Sequence, residues 1–213
     1  MAGITTLYGV DATKCPPQIG KVLEAFPCPY KYGNIRRILF MSQSSDFPFT
    51  SLALLQSEAT WTALLALDIA DYPDNALFSP NITEFAKPAV EPTITTSNNG
   101  SVSNGGFPPS VITYGLQHSS PTDENQIKQT VEKNEKSMGV LFITDENQII
   151  YRCTSNLLGT VPELIPVNLA TFGSKSIEGG VQTNLGQLHI DHAKEFGWWA
   201  TNVSWNILAK KAA

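Results

Sequence analysis

The chain has 213 residues, of which 42% are hydrophobic and 15% charged, and its formal net charge is −5. This length fits one domain of ordinary size, and the charged share lies below the roughly 25% that is usual for soluble domains. Proteins that grip nucleic acid do so with clustered Lys and Arg, whereas the basic pairs here are only Arg36-Arg37 and Lys210-Lys211. The composition therefore argues against specific nucleic-acid binding.

The first 35 residues are predicted to form an irregular arm, because four prolines and several glycines interrupt them. A short helix is predicted near residues 19–26. Cys15 and Cys28 flank a Pro-rich part of this arm and could form a disulfide or ligate a metal. The odd count of three cysteines, with no closely spaced pair, favours free structural thiols. No secretory signal is expected, and the most apolar stretch, 63–70, is too short to cross a bilayer.

A strand is predicted over 35–41, followed by a helix of about 51–68. Thr50 or Ser51 supplies the side-chain oxygen that would cap this helix. Its packing face is expected to contain apolar side chains at helical spacing: Leu54, Leu55, Trp61 and Leu65.

Residues 71–110 are the least regular part of the sequence. Within them, the segment 93–106 consists almost wholly of Thr, Ser, Asn and Gly and can bury little apolar surface. We expect this long loop to be mobile or to form a hairpin tip, and to reach a partner or to become ordered only against one. Asn98, Asn99 and Asn104 are its interface candidates.

The hexapeptide Thr-Asp-Glu-Asn-Gln-Ile occurs at 122–127 and again at 144–149. After a strand over 111–116, the first copy is predicted to begin a helix of about 122–138, whose apolar stripe is Ile127, Val131 and Met138. The second copy is predicted to turn a hairpin between 140–144 and 149–153, with a four-residue polar turn. Both strands of this hairpin are continuously apolar, which indicates that both of their faces are covered.

The rest of the chain is predicted to form strands at 167–172, 187–191 and 199–208, with a Gly-rich link at 173–180. Leu188 and Ile190 are expected to point inward. The predicted fold is α+β: a single domain, 1–213, built as a mostly antiparallel β-sandwich or barrel-like structure, with one flanking helix of about 122–138 and a second of about 51–68.

No residue pattern indicates catalysis or a cofactor. Four acidic residues of the hexapeptides could approach one cation, but the glycine and bidentate glutamate of a calcium loop are absent. In a strand His189 and His192 would point to opposite faces; in a helix their i,i+3 spacing would suit a metal, but a third zinc ligand is not apparent. Cys153 falls in a predicted buried strand, a poor place for a reactive thiolate. We therefore expect no enzyme activity, no catalytic residues, no cofactor and no metal.

Two segments carry a resemblance to a known class: Gly139-Val140-Leu141-Phe142-Ile143-Thr144-Asp145 with its return strand, and Trp198-Trp199 with Trp205. Over roughly 35–208 the order of elements resembles that of bacteriophage virion structural proteins, closest to the tail-tube class. The resemblance implies a β-sandwich with a flanking helix and a long loop, joined through its sheets into a hexameric ring. It also implies an acidic lumen through which DNA passes, other virion proteins as partners, no catalysis, and a place in the virion after synthesis in the host cytoplasm. Neck, capsid-decoration and baseplate positions stay open.

Ring assembly needs exposed strand edges, for which the hairpin 140–153 and the strand 199–208 are candidates. Their aromatic residues complete the set of interface candidates: Phe142, Tyr151, Trp199 and Trp205. The alternative is a carbohydrate- or surface-binding β-sandwich in which Trp198 and Trp199 stack on sugar rings. A hydrolase with scattered carboxylates is a third possibility.

Overall fold

A computed structural model describes residues 4–6, 34–43, 47–66, 76–97, 101–117, 121–133, 137–154, 159–178, 181–195 and 197–209. The predicted helix near 19–26, both N-terminal cysteines, Asn98 and Asn99 lie outside these ranges. The strands are β1 (Ile4–Thr6), β2 (Ile35–Ser42), β3 (Leu77–Phe78), β4 (Ile82–Ala86), β5 (Ile94–Thr96), β6 (Val102–Asn104), β7 (Ser110–Gln117), β8 (Met138–Thr144), β9 (Gln148–Arg152), β10 (Ile165–Pro166), β11 (Leu169–Glu178), β12 (Val181–Ile190) and β13 (Trp198–Asn202). The helices are α1 (Leu52–Leu55), α2 (Glu58–Leu65) and α3 (Pro121–Lys133), and 3-10 turns lie at His192–Lys194 and Ile207–Ala209.

The larger sheet has the strand order β1-β13-β9-β8-β2-β3, with β10 beside β8, and all of its pairs are antiparallel. Strand β8 lies at its centre, and every residue of β8 is buried. This confirms the inference from the continuous apolar run that both faces of the β8–β9 hairpin are covered.

The smaller sheet has the order β11-β12-β7-β4 and is also antiparallel. Leu188 and Ile190 of β12 are fully buried, as predicted. They pack with Ile112 and Tyr114 of β7 against the inner face of the larger sheet, where Phe40 and Phe142 lie. A sandwich of two antiparallel sheets with few helices is therefore confirmed, although it does not close into a barrel.

The outer face of the larger sheet is covered by α1 and α2. Trp61 of α2 is the centre of this second core cluster, where it contacts the rings of Phe49, Phe78 and Trp205. The predicted helix over 51–68 is in fact two short helices, capped by the hydroxyls of Ser51 and Ser57. Because the break shifts the helical phase, Leu54 is exposed rather than packed.

Helix α3 begins at the first hexapeptide, as predicted, and Ile127 and Val131 are buried. The second hexapeptide forms the strand–turn–strand junction between β8 and β9, also as predicted. The described helix ends at Lys133, and Met138 belongs to β8 rather than to the apolar stripe of the helix.

Three predictions of secondary structure need correction. The region 71–110, predicted to be the least regular part, contains the strands β3, β4, β5 and β6 among its described residues, although the β5–β6 pair agrees with the hairpin that was one expectation for 93–106. Strand β4, in which Ile82 is buried and Phe85 half-buried, completes the smaller sheet. The expected Gly-rich link at 173–180 is mostly strand, with a bulge at Gly173. The predicted strand 199–208 ends at Asn202, after which the chain turns across the larger sheet.

No helix among the described residues is long and apolar enough to span a membrane.

Candidate assembly surface

Strands β5 and β6 form a two-stranded hairpin that joins neither main sheet. In its register Ile94 pairs with Asn104 and Thr96 with Val102. Residues two apart on a strand share a face, and so do residues that pair across two strands. Ile94 shares a face with Thr96, which pairs with Val102, so Ile94 and Val102 lie on the same side of the hairpin. They are 64% and 67% exposed, more than any other large apolar side chain that the structure describes.

The hairpin is closed by backbone hydrogen bonds at both of its ends. The Thr93 amide donates to the Gly106 carbonyl (2.8 Å), and the Ser97 amide donates to the Ser101 carbonyl (2.9 Å). The segment 93–106 contains no charged residue. Its surface is therefore a hydrogen-bonded polar ribbon with one apolar face.

Phe107, directly after the hairpin, fixes it to the body of the protein. Its ring stacks on the imidazole of His192 at a centroid distance of 4.0 Å. His192 Nδ1 lies 3.6 Å from a carboxylate oxygen of Glu195, whose other oxygen lies 3.3 Å from Lys87 Nζ. The hairpin thus projects from a fixed base.

Phe142 and Tyr151 are buried inside the subunit and not on its outer surface. Phe142 lies between the two sheets, in contact with the rings of Phe85 and Trp198. Tyr151 is fully buried on the opposite face of the larger sheet, and its hydroxyl donates to the Gly159 carbonyl. Burial raises the pKa of the Tyr151 phenol, and the neighbouring Cys153 raises it further. Both rings belong to the subunit core, so neither is available to a neighbour.

Trp199 and Trp205 are half-buried on the outer face of the larger sheet. The indole N–H of Trp205 donates to the Gln56 carbonyl (2.8 Å), at the break between α1 and α2. The Trp199 ring lies against the backbone of Gly159. These contacts show that both residues hold the outer layer in place, and any interface role would use only their exposed edges.

The predicted edges are also internal to the larger sheet. Strands β8 and β9 are paired on both sides, and β13 lies between β1 and β9. The strands that end the smaller sheet are β4 and β11, each paired on one side among the described residues. The sequence did not show which strands lie at the sheet edges. A strand that is buried on both faces has the same apolar pattern whether it is central or at an edge.

Ile94 and Val102 were missed by the sequence reasoning, although they lie in the predicted loop. The available signal was local: two β-branched residues flank Asn98-Asn99-Gly100, and an Asn-Gly pair between such residues is typical of a hairpin. Asn104, one of the three predicted asparagines, is in β6.

Trp198 does not provide a platform for a sugar ring. Its side chain is only 7% exposed, its N–H donates to the Lys194 carbonyl (3.1 Å), and Lys87 Nζ lies over the ring at 5.8 Å. An indole that stacks on a sugar must offer an open face to solvent. Of the two tryptophans named for the carbohydrate-binding alternative, Trp198 is therefore buried and Trp199 half-buried.

The titratable groups do not form a metal site in the part of the chain that the structure describes. No three of its His, Cys, Asp and Glu side chains are grouped to hold an ion. Cys153 is buried and is not part of a disulfide, and His192 is stacked on Phe107. No protein-family model matches the chain, and a comparison with curated proteins finds no match either.

Proposed function

We propose that this protein is a structural subunit of a phage particle, a tail-tube or a neck and tail component. In this proposal it assembles with copies of itself into rings, is located in the virion, contacts other virion proteins, and has no catalytic role. The resemblance in the order of elements suggests the class. The exposed apolar face of the β5–β6 hairpin is the observation that carries the assembly.

The hairpin supports assembly because exposing its apolar side chains to water is unfavourable in an isolated subunit. Large apolar side chains that are two-thirds exposed on a projecting ribbon are typical of surfaces that a partner covers. A ribbon without charges can be buried against a neighbour without desolvating an ion. The stacked base at Phe107 and His192 holds the ribbon in one orientation.

The smaller sheet supports a ring in particular. Its two end strands, β4 and β11, are different surfaces, and an unpaired strand edge is a template for pairing with another chain. Contact between two different surfaces is head-to-tail, and head-to-tail contacts close into rings when the rotation permits. Joining β4 of one subunit to β11 of the next would make a continuous sheet around such a ring.

Sedimentation velocity on matched variants tests the role of the hairpin. Ile94→Thr and Val102→Thr keep β-branched side chains, and so preserve strand propensity, but remove apolar surface. Val161→Thr makes the same kind of change at an apolar residue that is 38% exposed outside the hairpin. We expect the wild type and Val161→Thr to form the same oligomer, and the double hairpin variant to remain smaller at equal concentration.

If the double hairpin variant sediments as the same oligomer as the wild type, the hairpin does not mediate assembly. If both sediment as monomers at every concentration tested, the ring itself is ruled out for the isolated protein. Circular dichroism of each variant checks that the fold is intact.

A further inference from the structure

A cleft of about 620 Å³ opens between the two sheets, with residues of β4 on one side and residues of β2, β8, β9 and β13 on the other. It is separate from the hairpin face described above. Its size lies within the range of about 300–1,000 Å³ that small-molecule sites occupy. The lining residues come from both sheets and from the start of β2: Asn34, Ile35, Arg36, Ile82, Thr83, Phe85, Lys87, Phe142, Ile150 and Trp198.

The inner part of the cleft is apolar and built from interlocking rings. Phe142 contacts Phe85 edge-on at a centroid distance of 5.5 Å and Trp198 at 5.8 Å. Phe142, Ile150 and Trp198 are buried parts of the core, whereas Ile35 and Phe85 are half-buried. A ligand tail entering here would leave water and contact a preformed aromatic and aliphatic wall.

The charged residues that line the cleft are both cations. Among the lining residues are two cations, Arg36 and Lys87, and no carboxylate, although the chain as a whole carries −5. Both cations have an acidic neighbour outside the lining. Arg36 Nε lies 4.0 Å from Asp145 Oδ2, and Lys87 Nζ lies 3.3 Å from Glu195 Oε1.

These ion pairs leave the cations able to bind a further anion. A guanidinium has five N–H donors and an ammonium has three, so contact with one carboxylate leaves other N–H donors on each group. Arg36 is also about half exposed, with a side-chain accessibility of 47%. The Asn34 side-chain amide, which donates to Asp145 (3.0 Å), and the hydroxyl of Thr83 complete a polar rim.

We infer that this cleft binds a single-chain carboxylate amphiphile, such as a free medium-chain fatty acid. Its alkyl chain would lie against Ile35 and Phe85, the half-buried apolar residues of the lining, and its carboxylate would lie at the cationic rim. Charge complementarity selects an anion rather than a neutral or cationic amphiphile. The inference does not depend on the ring assembly.

Isothermal titration calorimetry with dodecanoate, below its micellar concentration, tests the inference on the full chain. Dodecan-1-ol and dodecyltrimethylammonium have the same tail with no charge or the opposite charge. We expect one dodecanoate per chain, weaker binding of the alcohol, and the weakest binding of the cation.

Variants locate the site. Thr83→Phe puts a large ring at an exposed position of the cleft edge and should abolish binding, whereas Thr171→Phe, at an exposed threonine of β11, should not change it. Arg36→Gln and Lys87→Gln should each weaken dodecanoate about two- to fivefold, as expected for partly exposed ion pairs. Lys128→Gln removes the same charge from the exposed side of α3 and serves as their control.

Three results would overturn the inference. The first is binding of dodecan-1-ol as tight as that of dodecanoate, and the second is unchanged binding in Thr83→Phe. The third is binding to phosphatidylglycerol vesicles without binding to free dodecanoate, because the ligand would then be a membrane surface. The Gln variants at the rim keep the test valid if Thr83→Phe fails to fold.

Discussion

At the scale of single residues, Tyr114 and Tyr151 form a natural comparison. Both side chains are buried almost completely. The Tyr151 hydroxyl donates to the Gly159 carbonyl, whereas the Tyr114 hydroxyl has no hydrogen-bond partner among the described residues. A buried polar group without a partner destabilises the folded state, and one with a partner contributes modestly to its stability.

Replacing each tyrosine by phenylalanine should therefore have different effects. We expect Tyr151→Phe to lower the free energy of unfolding by about 1–2 kcal/mol, because it leaves the buried Gly159 carbonyl without its donor. Tyr114→Phe should be neutral or stabilising by up to about 1 kcal/mol, because it removes an unsatisfied hydroxyl. Urea unfolding of both variants measures the difference, and equal losses would show that the hydroxyls are equivalent.

The same two residues give the sign of an alkaline effect. Burial raises the pKa of both phenols in the folded protein above the usual value of 10.0. The folded state then keeps protons that the unfolded state loses above that pH, so the free energy of unfolding should fall as the pH rises beyond about 10. In each Phe variant this fall should be shallower by the contribution of one group.

The burial of Phe142 and Tyr151 inside the subunit could not be predicted from the sequence. Alternating aromatic residues on a strand indicate a contact, but not whether it lies inside a subunit or between subunits. Phe142 and Tyr151 are buried because both faces of the central strands are covered, by the second sheet on one side and by α1 and α2 on the other. That coverage depends on residues distant in sequence.

At the scale of elements, identical hexapeptides adopt different structures. Residues 122–127 begin α3, where an amphipathic segment with Ile127 and Val131 follows. Residues 144–149 join β8 to β9, where continuously apolar segments lie on either side. Flanking periodicity decided the outcome in both places, and it was readable from sequence.

The turn of the β8–β9 hairpin depends on Asn147, whose φ of 57° lies in the left-handed region. Its carbonyl also accepts the amide of Val203 (3.0 Å). We expect Asn147→Ala to lower the free energy of unfolding by about 1 kcal/mol, because alanine is strained in this conformation. Asn147→Gly should be neutral or slightly stabilising. Thermal unfolding compares the two variants, and an equal loss in both would mean that the Asn side chain matters rather than the backbone conformation.

Long, strongly patterned elements were predictable from the sequence, and short ones were not. The strands β2, β7, β8 and β9 agree with their predictions within about two residues because each is a sustained apolar segment. The break between α1 and α2 was missed because Ser57 can continue a helix or cap one, and the packing of Trp61 and the contact of Trp205 with Gln56 favour the cap. Strand β4 was missed because its outward residues are polar and a proline-rich segment follows it.

At the scale of the whole molecule, the sandwich has one buried region between its sheets and another beneath its helices. The polar segment 93–106 was predicted from sequence to reach a partner, which stays a prediction, and its apolar face was not predicted. The face on which each side chain of a hairpin lies depends on how its two strands pair. A shift of the pairing by one residue would place Ile94 and Val102 on opposite faces. The cleft beside β4 was invisible to sequence reasoning, because it forms where two sheets meet.

The low charge density is consistent with assembly at this scale. With 15% charged residues and a net charge of −5, copies of the chain repel one another only weakly. The hairpin segment 93–106 has no charged residue, so charge repulsion between copies is weakest at this part of the surface. Assembly should accordingly depend little on salt concentration, in contrast to contacts made by ion pairs.

Negative-stain electron microscopy of the purified protein, compared with the Ile94→Thr, Val102→Thr double variant, tests the central claim most directly. The account predicts closed rings or stacked tubes of the wild type, and dispersed single subunits of the variant under the same conditions. A field of single subunits for the wild type, or rings that persist in the folded variant, would contradict it.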